Sequence, residues 1–422
     1  ALAGVRFRQK RWAEAAAFAR QATERDPTDV EAWGLLGASL YLADDPRPAL
    51  EAWNRIDEPR IDRVEIEGLA RTRADIVTAV IRLQPRDPLT LESIRLAERR
   101  LDQLPTAAGG KVTYRPRAGG RADVVAAVGE GGLIEPRVVL ALRLGAEFVG
   151  KHEARLRINS PTGRGEAVEL GGRFESHRPS AWASIETPRL AGLPGVMTLS
   201  GVWDRQTYEF VGNVGDATTV ETRRRGALDW SHWLTSSLRL EVGVGAERFD
   251  AQGSFVSMRG AAGRRLFADR VALVADGGSW MGLSGARGFS EFGGTAAFRS
   301  GARSRRWALA ARFDGRRATG AAPMAVWPSA GTGASRAFLL RGSPLVSDGI
   351  VVGEAFGRGL LHATAEAEMQ VAERMLVRLG VAAFADWAKP WDSRPSSGPG
   401  QSVFAIGAGL RIRAPGSTAF RF

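Results

Sequence analysis

The sequence predicts a membrane protein of the all-β class, with a closed antiparallel transmembrane β-barrel of about 16 strands behind two small N-terminal regions. Residues 132–422 contain about fifteen runs in which apolar and polar residues alternate, each near the 9–11 residues that a tilted strand needs to cross a bilayer. Turns rich in Gly, Pro, Ser and Asp separate these runs. The polar faces carry arginine and small residues, as a hydrated barrel interior requires.

The composition is consistent with this class. The 422 residues are enough for two or three domains, and the absence of cysteine excludes disulfides and thiolate metal sites. No run of about eighteen apolar residues is present, so we expect no transmembrane helix. The net charge of +12 would permit nucleic-acid binding, but the arginines alternate with apolar residues instead of clustering, and we expect no nucleic-acid partner.

Residues 1–58 are predicted to be helical. Apolar residues recur at helical spacing through Trp12, Ala16 and Ala19, and Asp26-Pro27 ends that helix. Small residues at the expected helix crossings resemble about one and a half tetratricopeptide repeats, a generic helical hairpin being the alternative. The resemblance implies binding of a peptide or partner protein. We also expect further repeats and an export signal upstream of Ala1.

Residues 59–131 are predicted to form a strand, two helices and two strands. The first strand is 61–68, a helix covers 73–83, and Thr90 caps the second helix. KVTYRP and RADVVAAVGE form the last two strands around a turn at 118–120. This order resembles a POTRA domain, although it is also a common small α+β arrangement. The resemblance implies a periplasmic module that adds client strands to its sheet edge, which we expect at 121–129.

Within residues 132–422, alternation is clearest in four runs. These cover residues 137–149, 237–248, 306–316 and 402–413. We take 137–149 as the first barrel strand and 417–422 as the last, so these two would form the seam of the barrel. We expect no helix in this region.

A late hairpin and a loop upstream of it provide the candidate functional residues. Strands are predicted at 364–372 and 375–387, joined by a turn at 372–374. Their alternation brings Glu366, Glu368 and Asp386 to one surface. Leu340-Arg341-Gly342 lies about twenty residues upstream, in a segment from about 323 to 347 that is too long and polar to be a hairpin turn. Buried carboxylates need a cationic partner, and a planar guanidinium suits them best.

Leu340-Arg341-Gly342 and the later FADWA at 384–388 resemble the two signature motifs of the Omp85 superfamily of outer-membrane barrels. The family motifs are [VLI]RG[FY] on an inward-folded loop and F-x-D-x-G on a late strand. INSPTGRGEAVEL at 158–170 also resembles the early hairpin of these barrels. Two residues depart from the motifs: Ser343 stands where an aromatic is usual, and Ala388 where a glycine is usual.

The resemblance implies a loop-to-barrel contact that involves Arg341, Gly342, Phe384, Asp386 and Glu368, with Arg341 in the barrel lumen against Asp386. An ordinary surface-loop arginine is the alternative. The implied location is the outer membrane of a Gram-negative bacterium, with the N-terminal domains periplasmic. The implied function is the insertion or translocation of polypeptides, and the partners are lipid bilayer, unfolded client proteins or secreted polypeptide, and periplasmic accessory proteins.

Enzymatic activity is not expected, because catalytic motifs are present only as near misses. GLSGA at 282–286 is not a nucleophile elbow, and GGK at 109–111 lacks the upstream glycine of a phosphate loop. The four histidines have no pair at ligand spacing, so we expect surface or interface histidines, no metal and no cofactor. Two other functions stay open. A polysaccharide-export porin would explain residues 1–58, and a soluble adaptor would have a β-sandwich in place of the barrel.

Overall fold

The computed structural model describes residues 1–210, 217–300, 306–333, 337–374, 377–392, 401–413 and 420–421. The chain forms two compact units. The first contains residues 1–136 together with 158–167 and 187–196, and the second contains residues 137–157, 168–186 and 197–422. The predicted three-part division at 1–58, 59–131 and 132–422 stays a prediction.

The first unit begins with helices in the region predicted to be helical: α1 (Leu2–Arg8), α2 (Trp12–Arg25), α3 (Val30–Leu42) and α4 (Pro46–Trp53). Asp29 caps α3 by accepting a hydrogen bond from the Ala32 amide. Buried small and aliphatic side chains form the core between these helices, among them Ala19, Leu36 and Ala49. At Gly37 a Cβ would come within 2.6 Å of the Trp53 ring, so a residue without a side chain is needed where α3 meets that ring.

A three-stranded sheet follows in the predicted order of elements. It comprises β1 (Arg60–Glu67), α5 (Ala74–Ile81), α6 (Leu91–Asp102), β2 (Ala107–Arg117) and β3 (Arg121–Glu130). Thr90 and Ser93 form a reciprocal capping box at the start of α6.

The strand order β1-β3-β2 corrects the expectation that residues 121–129 form an edge strand. β3 lies in the centre, with β1 parallel on one side and β2 antiparallel on the other. Most residues of β3 are buried, which is typical of a central strand covered on both faces. The outer strands of this sheet are therefore β1 and β2, and the start of β1 is paired on its outer side, where Ile61 exchanges backbone hydrogen bonds with Arg86 and Asp87.

The second sheet contains sixteen strands, fourteen of which form one continuous path from β4 to β19, and β8 to β19 pair antiparallel along it. Its strands are β4 (Glu153–Asn159), β5 (Ala167–Arg173), β6 (Ser180–Pro188), β7 (Val196–Phe210), β8 (Ala217–Trp233), β9 (Leu238–Phe249), β10 (Gly253–Leu266), β11 (Val271–Gly282), β12 (Phe289–Arg299), β13 (Trp307–Gly320), β14 (Val346–Ser347), β15 (Ile350–Val351), β16 (Gly359–Arg374), β17 (Val377–Trp391), β18 (Val403–Arg413) and β19 (Phe420–Arg421). β14 and β15 are off the path. The turn predicted at 372–374 lies within β16, and residues 375–376 lie outside the described residues. Of the predicted last strand, residues 417–419 and 422 also lie outside them.

The first predicted barrel strand, residues 137–149, is instead a helix, α7 (Arg137–Lys151). Its run of apolar residues fits a strand or a helix equally well by period. The ion pair between Arg143 and Glu147, four residues apart and 3.0 Å between Nη1 and Oε2, favours the helix. The expectation that this region contains no helix was therefore wrong, and the first strand of the sheet is β4.

The large sheet has one apolar face and one polar face. On β12 and β18 the outward positions are exposed and apolar, including Phe292, Phe298, Phe404 and Ile406. Polar side chains on the other face form ion pairs between strands: Arg223 pairs with Glu247 at 2.6 Å, and Arg316 pairs with Asp276 at 2.8 Å and with Glu291 at 3.1 Å. One apolar face and one face of paired polar groups is the pattern expected of strands whose apolar face contacts lipid. Among the helices in the described part of the chain, none has the length and apolar character to span a membrane.

Candidate functional site

Residues 321–333 and 337–358, between β13 and β16, form what we call the inward segment, because they lie against the polar face of the large sheet. It contains a short 3-10 turn, Met324–Val326, and the two-residue strands β14 and β15. Much of it is buried, with Met324, Leu340 and Leu345 each under 5% exposed. Burial to this degree is unusual for a surface loop, and because Leu340 is buried, the adjacent Arg341 is held close to the sheet.

Both ends of the inward segment are attached to strands β7 and β8, the start at residues 324–325 and the finish at residues 350–351. The Glu221 carboxylate accepts hydrogen bonds from the Met324 and Ala325 amides at 3.1 and 2.8 Å. β15 pairs in parallel with β7, where Val351 opposes Tyr208. These contacts satisfy backbone groups of the segment that would otherwise be buried without partners.

Arg341, in the middle of the segment, attaches it to β17 at Asp386. Its Nε and Nη2 donate to the two carboxylate oxygens of Asp386 at 2.8 and 2.6 Å, and its backbone N–H donates to the same carboxylate at 3.0 Å. The Asp386 side chain has no exposed surface, and that of Arg341 is 17% exposed. This is a bidentate, charge-assisted contact in a largely dehydrated site.

Three further groups surround the Arg341 guanidinium. Nη1 donates to Glu366 Oε2 at 2.8 Å, and Nη2 donates to Thr364 Oγ1 at 2.9 Å. Its carbon lies 3.7 Å from the centre of the Phe384 ring, which adds a cation–π contact. A Cβ at Gly407 on β18 would come within 2.6 Å of the Phe384 ring, so the glycine makes room for this ring.

Glu368 occupies a different place from the one expected of it. The acidic residue that shares Arg341 with Asp386 is Glu366, whereas Glu368 lies 3.6 Å from the Nε of Arg411. The register explains this: Thr364 pairs with Asp386 and Glu366 with Phe384, so Glu368, opposite Ala382, is two positions further from Asp386. Arg411 also pairs with Glu366, and it therefore links the two glutamates.

The remaining motif positions shape the backbone. Gly342 has φ +75°, the left-handed region that glycine adopts most easily, and a Cβ there would meet no atom within 4 Å, so the requirement is conformational. Leu340 and Ala388 are fully buried in one apolar cluster with Ala330, Ala355 and Leu360. Ala388 thus stands in a space that accepts a methyl group.

His362 is a second contact point that the sequence analysis did not identify. It was expected at a surface or an interface, yet it is only 1% exposed. Its Nε2 lies 2.9 Å from the Leu339 carbonyl of the inward segment, and its Nδ1 lies 3.2 Å from Asp314 Oδ2 on β13. The Phe338 ring stacks on the imidazole, with centroids 5.2 Å apart.

A signal for His362 was present in the sequence. His362, Thr364, Glu366 and Glu368 share one parity along the strand, so they lie on one face. Extending the predicted strand by two residues towards its start would have brought His362 to the same surface as the glutamates.

No protein-family model and no curated protein matches the sequence. Among solved structures, CdiB from Escherichia coli is similar over 85% of this chain and 70% of its own, with 12% identity and a TM-score of 0.59. The large antiparallel sheet of this chain therefore has an Omp85-like fold. The predicted resemblance is thereby confirmed at the level of the fold.

Two other structures match over similar lengths. BamA from Haemophilus ducreyi lacking POTRA domains 1–3 covers 85% of this chain and 79% of its own, with 12% identity and a TM-score of 0.48. CdiB from Acinetobacter baumannii covers 95% and 80%, with 10% identity and a TM-score of 0.48.

Proposed function

We propose that this protein inserts polypeptides into the outer membrane of a Gram-negative bacterium or translocates them across it. The observation that carries the proposal is the Arg341 contact. A guanidinium on a buried segment pairs with Asp386 and Glu366 on the polar face of an Omp85-type sheet. Arg341 and Asp386 stand where the family motifs have an arginine and an aspartate, in a fold that is similar to CdiB.

The proposal includes a closed barrel, which the inward segment supports. β7 and β17 are eight steps apart in the sheet, roughly 38 Å if it were flat at about 4.8 Å per strand. Arg341 contacts β17, and Val346 is joined through Val351 to Tyr208 on β7. The path from Arg341 to β7 consists of the five residues up to Val346 and two strand spacings, from Val346 to Val351 and from Val351 to Tyr208. Fully extended, this path spans only about 28 Å. The hydrogen bond to Asp386 adds a few ångströms, so the sheet curves around the segment.

The N-terminal regions would lie in the periplasm and bind clients or accessory proteins. We propose a POTRA-like domain at 59–131 and tetratricopeptide-like helices at 1–58. Strand addition requires unpaired N–H and C=O groups, and in the small sheet we expect the outer strand β2, or the part of β1 beyond Ile61, to supply them.

The proposed activity involves no bond chemistry, so we propose no enzyme function and no cofactor. Its free energy would come from pairing of client strands and from burial of their apolar face in lipid.

The test replaces Arg341 in the full chain reconstituted in lipid vesicles. The readout is the assembly of a small unfolded outer-membrane barrel, followed by protease protection. Arg341→Ala leaves the Asp386 charge buried without its partner, a loss of roughly 3–5 kcal/mol in comparable cases, and should abolish most assembly. Arg341→Lys should restore only part, because an ammonium group cannot make the bidentate contact.

Arg259→Ala is the matched control. Arg259 also carries an ion pair on the polar face, with Asp229 at 3.1 Å, but its partner lies on β8 and not on β17. It should keep near-normal assembly. Equal activity of Arg341→Ala and the unmodified protein, or no assembly by the unmodified protein, would overturn the proposal.

A further inference from the structure

The outer edge of β2, in the small three-stranded sheet, is occupied by side chains of α6. The Gly110 amide donates to Asp102 Oδ1 at 3.0 Å, and the Val112 amide donates to Glu98 Oε1 at 3.2 Å. Glu98 and Asp102 are four residues apart, so they lie on one side of the helix with a rise of about 6 Å between them. Two residues of an antiparallel strand rise about 6.8 Å, so the two carboxylates match alternate amides of β2.

The next outward positions of β2 are also unsuited to pairing with a further strand. Outward and inward positions alternate along an antiparallel strand, so Tyr114 and Pro116 follow Gly110 and Val112 on the outer edge. The Tyr114 carbonyl accepts a hydrogen bond from the Tyr41 hydroxyl of α3 at 3.2 Å. Pro116 has no N–H to donate. Every outward position from 110 to 116 therefore has a donor or an acceptor that is already bonded or absent, which closes this edge to strand addition.

β1, the other outer strand, presents backbone groups at its outer edge. Tyr114 directs its groups outward, and Val124 opposite it on β3 therefore directs its own groups to β1. Val64 opposes Val124 in the parallel pair, and a residue in that place directs its N–H and C=O away from the partner strand. Ile66, two residues further along β1, does the same.

The hydrogen bonds at the start of β1 agree with this geometry. Ile61 holds an outward position there, and it donates to the Asp87 carbonyl and accepts from the Arg86 amide. A register shift follows Ile61, so the outward positions continue at Val64 and Ile66. Within the described part of the chain, no hydrogen bond occupies the outward groups of these two residues.

The two faces of β1 determine what kind of segment can be added beside it. The side chains of Val64 and Ile66 pack against the apolar core of the small sheet, whereas Arg63, Glu65 and Glu67 lie on the opposite face. A strand added beside β1 extends both faces of the sheet, so its own residues must alternate in the same way. Transmembrane strands of β-barrels have this alternation of apolar and polar residues.

We propose that an extended polypeptide segment with alternating apolar and polar residues adds to the small sheet at β1, beside Val64 and Ile66, while Glu98 and Asp102 keep β2 closed. Backbone hydrogen bonds hold the segment, and the two faces of β1 select the alternation. The role of this edge in polypeptide insertion or translocation rests on the proposed function, whereas the difference between the two edges does not.

Amide hydrogen exchange in the full chain in detergent, resolved to single residues by mass spectrometry, tests which edge binds. The probe is a synthetic peptide of about ten alternating apolar and polar residues, the length of a membrane-spanning strand. Without peptide, the amides of Val64 and Ile66 should exchange faster than those of Gly110 and Val112, which are bonded to carboxylates. Peptide should slow exchange at Val64 and Ile66 on the order of tenfold, as expected for new backbone hydrogen bonds, and leave Gly110 and Val112 unchanged.

A proline in β1 tests the outward donor directly. Ile66→Pro removes an N–H that points away from β3, so the pairing of β1 with β3 is kept. This variant should lose the slowing of exchange that the peptide causes at Val64. Ile66→Val keeps the N–H and is the matched control, so it should respond to the peptide as the unmodified chain does.

Removing the carboxylates of α6 tests why β2 is closed. In the double variant Glu98→Ala, Asp102→Ala, the amides of Gly110 and Val112 should exchange faster, and the peptide should then slow them as well. The response at β1 should stay the same. Glu92→Ala removes a carboxylate from an exposed position of the same helix and should leave β2 closed.

Slower exchange at Gly110 and Val112 when peptide is added to the unmodified chain would overturn the inference, as would no change at Val64 and Ile66 at millimolar peptide. If Ile66→Pro fails to fold, the exchange pattern of the unmodified chain decides by itself. The assay contains no bilayer and no assembling barrel. Its failure is therefore distinguishable from failure of the proposed function, which the assembly assay with Arg341→Ala tests.

Discussion

Glu130 fixes the loop between β1 and α5 by accepting hydrogen bonds from the amides of Ala70, Arg71 and Thr72 at 2.8 to 3.1 Å and from the Thr72 hydroxyl. Partial burial acts to raise the pKa of this carboxyl group, but the hydrogen bonds outweigh it, and its pKa lies below the usual value. Ionised Glu130 therefore stabilises the folded chain.

Acid should remove that stabilisation. Because the folded-state pKa is lowered, the contribution is complete above the unfolded carboxyl pKa of about 4.3 and disappears as the pH falls through the folded value. Glu130→Gln should lower the free energy of unfolding at pH 7 by about 1–3 kcal/mol, and the difference should shrink on acidification. Thermal unfolding of the helical circular dichroism signal measures this.

Glu51→Gln, on an exposed position of α4, is the matched control and should change little at either pH. A difference between Glu130→Gln and the unmodified chain that grows in acid would contradict the assignment.

At the residue scale, sequence motifs predicted contact between Arg341 and Asp386, because a buried carboxylate requires a cationic partner and a lone loop arginine can supply it. They did not distinguish Glu366 from Glu368, since the two share one strand face and only the register with β17 decides which is near Arg341. His362 was missed for a different reason. Its partners are a carbonyl and an aspartate far away in the sequence, and no spacing rule brings these together.

Among the elements, α7 is held mainly by polar contacts with β4. None of its residues is buried. Arg143 donates to the Arg155 carbonyl at 3.0 Å, and Arg155 donates to Glu147 at the same distance. His152 O accepts from Phe174 on the β5 side, and N–H and C=O groups alternate sides along a strand, so the Arg155 carbonyl points away from β5. Arg143 thus covers a backbone group on the side of β4 that faces away from β5.

Removing this side chain should destabilise α7. A 15-residue helix without packing is marginal in water, so small contacts decide its population. Arg143→Ala loses an ion pair and a hydrogen bond, together on the order of 0.5–1 kcal/mol at a partly exposed site. Amides in α7 should exchange hydrogen about two- to fivefold faster by mass spectrometry.

Arg137→Ala, at the exposed first position of the helix, serves as the comparison and should leave exchange in α7 unchanged. Equal protection of α7 in both variants would show that contacts other than Arg143 hold the helix.

Elements were predictable where period and capping agreed. Thr90 ahead of an apolar helical run predicted the start of α6, and strict alternation predicted β9, β13 and β18. The run at 137–149 has apolar residues at consecutive positions, so its period was ambiguous. The central position of β3 could not be predicted from the sequence, because continuous burial identifies a central strand only after its neighbours are known.

For the whole molecule, the strongest constraint is that one buried segment contacts strands near both ends of the large sheet. Glu221 on β8 binds the amides of Met324 and Ala325, and Asp386 on β17 binds Arg341. The sheet has its exposed apolar residues on the opposite face. A curved sheet with an apolar exterior requires a lipid or detergent environment, whereas a β-sandwich would bury that face between two sheets.

A lipid-embedded barrel should resist dodecyl sulfate at room temperature, because its strands are paired on both sides and detergent cannot open the ladder locally. Unheated protein should migrate faster on a denaturing gel than boiled protein, and circular dichroism should be dominated by strand with a helical minority. Arg341→Ala should keep the heat-dependent shift, since the strand ladder contains no backbone bond to Arg341. Aqueous solubility of a folded monomer without detergent would contradict the barrel, and loss of the shift in Arg341→Ala would make the inward segment part of what closes it.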